Sequence, residues 1–315
     1  GDANPLSPRA PGNPILPLLH LSAGAGEMYC GSCLRDNALA AALLRRGHDV
    51  VLMPIYTPTT TDEPNVSTPH VFFGGVSVFL EQHVPLFRHT PACLDRVWDS
   101  NAALRLASKR QIKVDPATLG GMTVSMLKGA EGYQRKEIDK MRRWLEHAPR
   151  FDLVNLPFTL LIGLAQPLRH ALGAPIVCTL QGEDLFLENL AEPWRTEAVA
   201  LIRAAVPHVD LFLSVSASYV PFMQQYLGIP PSKMAVVPLG ITLDGHHVKQ
   251  SRTEPPFTIG FFGRIAPEKG LHLLADAFRT RRIPADVIWL DIHYLDGFKP
   301  FTWDKERFPD PAKLI

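Results

Sequence analysis

Cysteine is scarce in this chain, with four in 315 residues, which is too few for a disulfide scaffold at this length. Long apolar runs are lacking too. One of the longest, Phe151 to Leu164, is broken by Asp152, Asn155, Pro157 and Thr159, so no segment reads as a membrane span. Neither sign of charge is in excess: 32 basic residues stand against 31 acidic ones, which gives no electrostatic case for nucleic acid or a strongly anionic membrane. The first residues, Gly1 to Pro5, lack a basic stretch followed by an apolar one, so no signal peptide is expected and a cytoplasmic location follows. Asn65-Val66-Ser67 therefore carries no weight as a glycosylation sequon.

What the chain does contain is 46% apolar residues, enough to bury the core of one large or two medium domains. Cys30-Gly31-Ser32-Cys33 has the spacing of a redox pair or of half a zinc site, but no second Cys-x-x-Cys or His-x-x-x-His completes a ligand set. Small residues at the entry to a helix are the expected role, with no metal. His20, His48, His70 and His89 show no ligand spacing and read as structural or surface residues.

Residues 1–14, with Pro5, Pro8, Pro11 and Pro14, form a lead-in. Ile15 to Leu21 reads as a buried strand, 22–32 as a glycine-rich loop, Leu34 to Arg46 as a helix with Leu39, Ala42 and Leu43 inward, and Val50 to Pro54 as the next strand. Gly24-x-Gly26 lacks the third glycine of a dinucleotide fingerprint, and no acidic residue directly follows Met53, which disfavours NAD. Residues 56–99 form a long insertion, with a strand or hairpin over Val71 to Leu80. Helical patterns fill about 100–110 and 116–147, where Ile138, Met141, Trp144 and Leu145 make a core stripe.

A regular alternation follows: strand 152–156, helix 160–172, strand 175–180, helix 193–205, strand 210–215, helix 217–227 and strand 234–238. Such a pattern predicts an α/β doubly wound parallel sheet, whose ligands lie beyond the C-terminal strand ends. One loop there, Gln181-Gly182-Glu183-Asp184, offers an amide and two carboxylates to sugar hydroxyls or to a proton. The same residues could instead start a helix, a role worth about 0.5 to 2 kcal/mol, and the two roles are compatible. Ser216 is expected to be an N-cap rather than a nucleophile, since no Gly-x-Ser-x-Gly surrounds it.

After a polar linker over 244–256, Phe257 to Phe262 reads as a strand that runs through Gly263-Arg264 and Pro267-Glu268-Lys269-Gly270 into a helix beginning near Leu271. Arg264 and Lys269 beside a helix start suit an anion, a diphosphate above all, although an ordinary strand-to-helix turn would look similar.

This string resembles the opening of the nucleotide-binding half of glycosyltransferase family 4. Gly47-His48-Asp49-Val50, the loop Ser22 to Gly26 and Val236 to Ile241 resemble further motifs of that family in the right order. The resemblance implies a retaining glycosyltransferase of GT-B architecture, with residues 15–243 as a Rossmann-like acceptor-side domain and 257–315 as the start of a second Rossmann-like domain that binds the nucleotide sugar.

The resemblance also implies that Gly24, Gly26, Gly263, Arg264 and Lys269 bind the donor, with Arg264 and Lys269 acting catalytically on the departing diphosphate. Gln181, Glu183 and Asp184 would contact the acceptor or the sugar. Many family members carry His where Gln181 stands, and glutamine cannot shuttle a proton. The expected partners are a nucleotide-diphosphate sugar and a hydroxyl-bearing acceptor, with no cofactor, no metal and no nucleic acid; a peripheral membrane contact stays open. The family's Glu, seven residues, Glu pattern does not occur after residue 270. The chain therefore reads as a fragment with little or no transferase activity alone, and a non-enzymatic sugar- or nucleotide-binding module or a GT-B epimerase remain as alternatives.

Overall fold

Short apolar runs separated by helices assemble into six parallel strands: β1 (Pro17–Ser22), β2 (Asp49–Pro54), β3 (Leu153–Leu156), β4 (Ile176–Leu180), β5 (Leu211–Ser214) and β6 (Met234–Val236), in the order β2-β1-β3-β4-β5-β6. The computed structural model describes residues 14–24, 31–59, 61, 63–69, 71–73, 78, 81–82, 116–240 and 270–282. The chain divides into two units, Gly1–Asp244 and Gly245–Ile315.

Eight α-helices occur among the described residues: α1 (Gly31–Arg45), α2 (Pro116–Leu127), α3 (Arg135–Leu145), α4 (Ala165–Leu172), α5 (Glu183–Glu188), α6 (Trp194–Ala205), α7 (Tyr219–Leu227) and α8 (Leu271–Thr280). The step from β1 to β2 runs one way across the sheet and the steps from β3 to β6 run the other. Right-handed crossovers therefore place α1 on one face and the helices of the first unit that follow β2, α2 to α7, on the opposite face. The packing agrees with this. Ala40 of α1 joins Leu18, Val50 and Leu52 in a small cluster, while Leu168, Ile202 and Met223 join Leu19, Leu21, Leu156 and Phe212 in the main core. The switch of direction falls between β1 and β3, where open α/β sheets bind ligands.

Strand positions match the sequence expectation within two residues, because both faces of these strands are apolar; every residue of β4 is buried. Pro17 is tolerated as the first residue of β1. Two helical expectations need correction. The buried residues of α1 are Cys33, Asp36, Asn37 and Ala40; Leu43 packs against the Ala40 cluster as expected, whereas Leu39 is 43% exposed. Polar residues occupy this face because they are bonded there: the Asn37 amide donates to Pro64 O (3.1 Å) and its carbonyl accepts from Val66 N (3.0 Å).

The single helix expected over 116–147 is two helices, with a 3-10 turn at Gly129–Glu131 between them. Gly129 has φ +56°, and a Cβ there would stand 2.3 Å from the carbonyl oxygen of Gly163, so the chain turns against the 159–164 segment at a point open only to glycine. The stripe Ile138, Met141 and Leu145 is buried as expected, and Trp144 packs edge-on against Phe72 at 5.6 Å.

Asp210 ties β4 to α4. It accepts from Ile176 N at 2.7 Å and pairs with Arg169. Burial raises its pKa, but the Ile176 N–H and the Arg169 guanidinium outweigh it, and the net shift is downward. A lowered folded pKa contributes stability above the unfolded value of about 3.9 and loses it as pH falls through the folded one. Asp210→Asn should therefore lower the urea midpoint at pH 7 and differ progressively less from the parent as the pH drops below about 4. A gap that stays constant down to pH 2 would contradict this linkage.

Of the second unit, α8 and its flanks are described. The helix starts after Gly270 (φ +73°), where the sequence places it. The linker 244–256, the expected strand Phe257–Phe262 and the helix at 100–110 lie outside the described residues; of the strand or hairpin expected over Val71–Leu80, Val71, Phe72 and Phe73 belong to no strand and Val78 is helical, against the expectation.

Candidate functional site

Three turns leave the C-terminal edge of the sheet side by side, after β1, β3 and β4. Gly24 in the first has φ +74°, and a Cβ there would lie 1.8 Å from Thr57 O, so only glycine lets this turn pass the chain beyond β2.

Glu183 joins the second and third turns. Its carboxylate is 5% exposed and accepts from Thr159 N at 3.0 Å, Thr159 Oγ1 at 2.8 Å and Gln181 N at 2.6 Å. Both oxygens are thus engaged, and Glu183 holds the loop rather than facing a sugar. The carboxamide Nε2 of Gln181 donates to Pro157 O, which leaves Oε1 without a partner among the described residues. Asp184 accepts from the Tyr219 hydroxyl through Oδ1, and Oδ2 likewise has no partner there. Gln181 and Asp184 are both half-buried. The loop therefore presents two hydrogen-bond acceptors to a hydroxyl-bearing ligand. Burial and then the bond to Asp184 push the Tyr219 phenol well up, so it remains a donor.

A second polar group, not anticipated from the sequence, lies beneath the first turn. His20 and Asp36 are fully buried, with His20 Nε2 3.2 Å from Asp36 Oδ1. Arg35 Nε donates to the same oxygen at 3.1 Å. On the other side, Asn155 Nδ2 stands 3.3 Å from His20 Nδ1, and Thr179 Oγ1 donates to Asn155 Oδ1 at 3.3 Å. The chain of bonds runs from α1 through β1 and β3 to β4, directly across the switch point. One signal for it was available: a histidine inside the apolar strand Pro17 to Ser22. Cys178 sits close by, its thiol pushed up by burial and then by Glu183, with Arg35 acting the other way.

Cys33 is buried, and the Ser22 hydroxyl lies 3.9 Å from its sulfur. Ser216 is not the cap expected of it: α7 begins at Tyr219, and Ser216 Oγ lies 2.8 Å from Ser218 Oγ. Gly26, Cys30, Gly263, Arg264 and Lys269 lie outside the described residues. Among the described residues, no group of three His, Cys, Asp or Glu is placed to share a metal ion, and no helix is long and apolar enough to cross a membrane.

The family model for the glycosyl transferase 4-like domain matches residues 37–240, more than half of the chain and nearly all of this sheet. The chain belongs to the glycosyl transferase 4-like family. A second model, the TIM-barrel domain of glycosyl hydrolases family 31, matches residues 252–315.

Among curated proteins, alpha-glucosidase 2 of Bacillus thermoamyloliquefaciens is 46% identical over 48 residues, 15% of this chain and 6% of that protein. Neutral alpha-glucosidase AB of Mus musculus is 30% identical over 138 residues, 44% of this chain and 13% of that protein. The chain thus spans a small fraction of the length of these relatives. The expected diphosphate cations Arg264 and Lys269 fall within the stretch that the TIM-barrel model matches, and the glycosyl transferase 4-like match ends at residue 240, before the C-terminal unit begins.

Proposed function

We propose that this glycosyl transferase 4-like chain takes part in transfer of a sugar from a nucleotide-diphosphate donor to an acceptor hydroxyl, with retention at the anomeric carbon. The observation that carries the reading is the match over residues 37–240, on a parallel sheet whose C-terminal edge offers Gln181 Oε1 and Asp184 Oδ2. In this reading those two atoms orient the acceptor hydroxyl. Glu183 fixes their loop, the backbone at Gly24 and Gly26 approaches a phosphate or the acceptor, and Arg264 and Lys269, next to Gly263, neutralise the departing diphosphate. No step requires a metal or cofactor, and the reading keeps the compartment cytoplasmic.

The match over residues 252–315 favours a second reading, in which that stretch serves α-glucoside hydrolysis. A side-by-side assay separates the two. The chain is given labelled nucleotide-diphosphate hexoses with a hydroxyl acceptor, and separately p-nitrophenyl α-glucoside. Turnover is expected to depend on the nucleotide sugar. Release of p-nitrophenol with no use of any nucleotide sugar would overturn the transferase reading.

A further inference from the structure

Helix α7 carries Tyr219, Phe222 and Tyr226 along one side. The Tyr219 and Phe222 rings have centroids 5.8 Å apart at 26°, and the Phe222 and Tyr226 rings 5.5 Å apart at 10°. Rings in direct face contact would be about 3.5 to 4 Å apart, so these are parallel but displaced, and part of each face stays uncovered by its neighbour. Phe222 is 44% exposed, and Leu185 on the adjoining α5 is 51% exposed.

Both outer rings are fixed. The Tyr219 hydroxyl donates to Asp184, and the Tyr226 hydroxyl donates to Glu188 Oε1 at 2.7 Å; Arg195 Nη1 lies 3.4 Å from the other oxygen of Glu188. Burial and then the bond to Glu188 push the Tyr226 phenol well up, which keeps it a donor. The two tyrosine bonds clamp α7 to α5, so the rings are held in place before any ligand arrives.

We propose that this ring column is a carbohydrate platform: a neutral pyranose of the acceptor lays its C–H face on Phe222 and donates hydroxyls to Asp184 and Glu188. The proposal rests on the transferase reading and names the acceptor class for the same loop. Ring faces are electronegative and attract C–H groups, and the carboxylates accept from hydroxyls. The surrounding charge is mostly acidic, with Asp184, Glu188 and Glu192 against Arg195, so a phosphate or an acidic peptide is disfavoured. The exposed apolar area is two side chains wide, suited to one sugar ring and far short of the roughly 800 Å² per partner of a stable protein interface.

The test is saturation-transfer difference NMR on the full chain with cellobiose, and separately with UDP, GDP and ADP, for the parent and Phe222→Ala. Phe222 is exposed, so the variant should fold, which its circular dichroism and Tm would confirm. Saturation of the pyranose C–H protons is expected in the parent and should fall about fivefold or more in the variant, the loss of one good aromatic contact, with any nucleotide signal unchanged. Undiminished sugar saturation in Phe222→Ala, or none in the parent at tens of millimolar cellobiose, would overturn the platform, as would a dimer in sedimentation that Phe222→Ala dissolves. A sugar signal lost in the variant, with no nucleotide signal in either protein, would support the platform while counting against the transferase reading.

Discussion

Glu183→Ala is expected to destabilise the first unit by about 2 to 5 kcal/mol, the combined cost of the buried donors it leaves without an acceptor. Three donors converge on this carboxylate, two of them backbone N–H groups, those of Thr159 and Gln181. Alanine leaves both without a partner in a buried place, at about 1 to 3 kcal/mol each. The Thr159 hydroxyl can rotate to another acceptor and adds less. Glu183→Gln keeps one carbonyl but turns an NH₂ toward a donor, so it should fall between alanine and the parent. Urea unfolding of the parent and both variants measures this. An alanine variant within about 1 kcal/mol of the parent would show that the two turns are held by something else.

Asp36→Ala should cost a similar amount, about 3 to 5 kcal/mol, because it removes one partner from a buried group. Asp36 Oδ1 receives His20 and Arg35, and its loss leaves the His20 Nε2 end without an acceptor beneath the switch point. Arg35 retains some exposure and can turn to water, so histidine bears most of the penalty. Asp36→Asn preserves an acceptor and should cost less than half as much. A double-mutant cycle between His20 and Asp36 isolates the pair, with a coupling of about 1 to 3 kcal/mol expected. Additive losses would mean that the two residues act independently.

These two centres differ in how far the sequence discloses them. The Gln181-to-Asp184 loop is legible because it follows a buried run and combines a glycine with acids, but its chemistry is redistributed by folding. Glu183 turns inward to serve two backbone turns, and the acceptor atoms left without a partner among the described residues belong to Gln181 and Asp184. Thr159 could not be paired with Glu183 from the sequence, since 24 residues separate them and the contact exists only once β3 and β4 are neighbours.

The face of α1 is less legible for a related reason. Periodicity assigns Leu39 inward, yet it is exposed, and Asp36 and Asn37 are buried instead: Asp36 Oδ1 meets His20 of β1 and Arg35 of the same helix, and Asn37 bonds loop backbone. The parallel sheet itself is readable almost strand by strand, since its strands are short, mostly apolar runs that single polar residues such as His20 and Asn155 do not disguise. The C-terminal unit is the opposite case. A Gly-Arg and Glu-Lys-Gly string resembles one family while the surrounding residues 252–315 match another, and local motif spacing has no means of choosing between them.

The most direct test of the account is calorimetric titration of the full chain with UDP-glucose, GDP-mannose and ADP-glucose, repeated on the Arg264→Ala/Lys269→Ala double variant. Saturable heat is expected with at least one of these donors, with its loss in the double variant. Binding of p-nitrophenyl α-glucoside with no heat from any nucleotide sugar would contradict it.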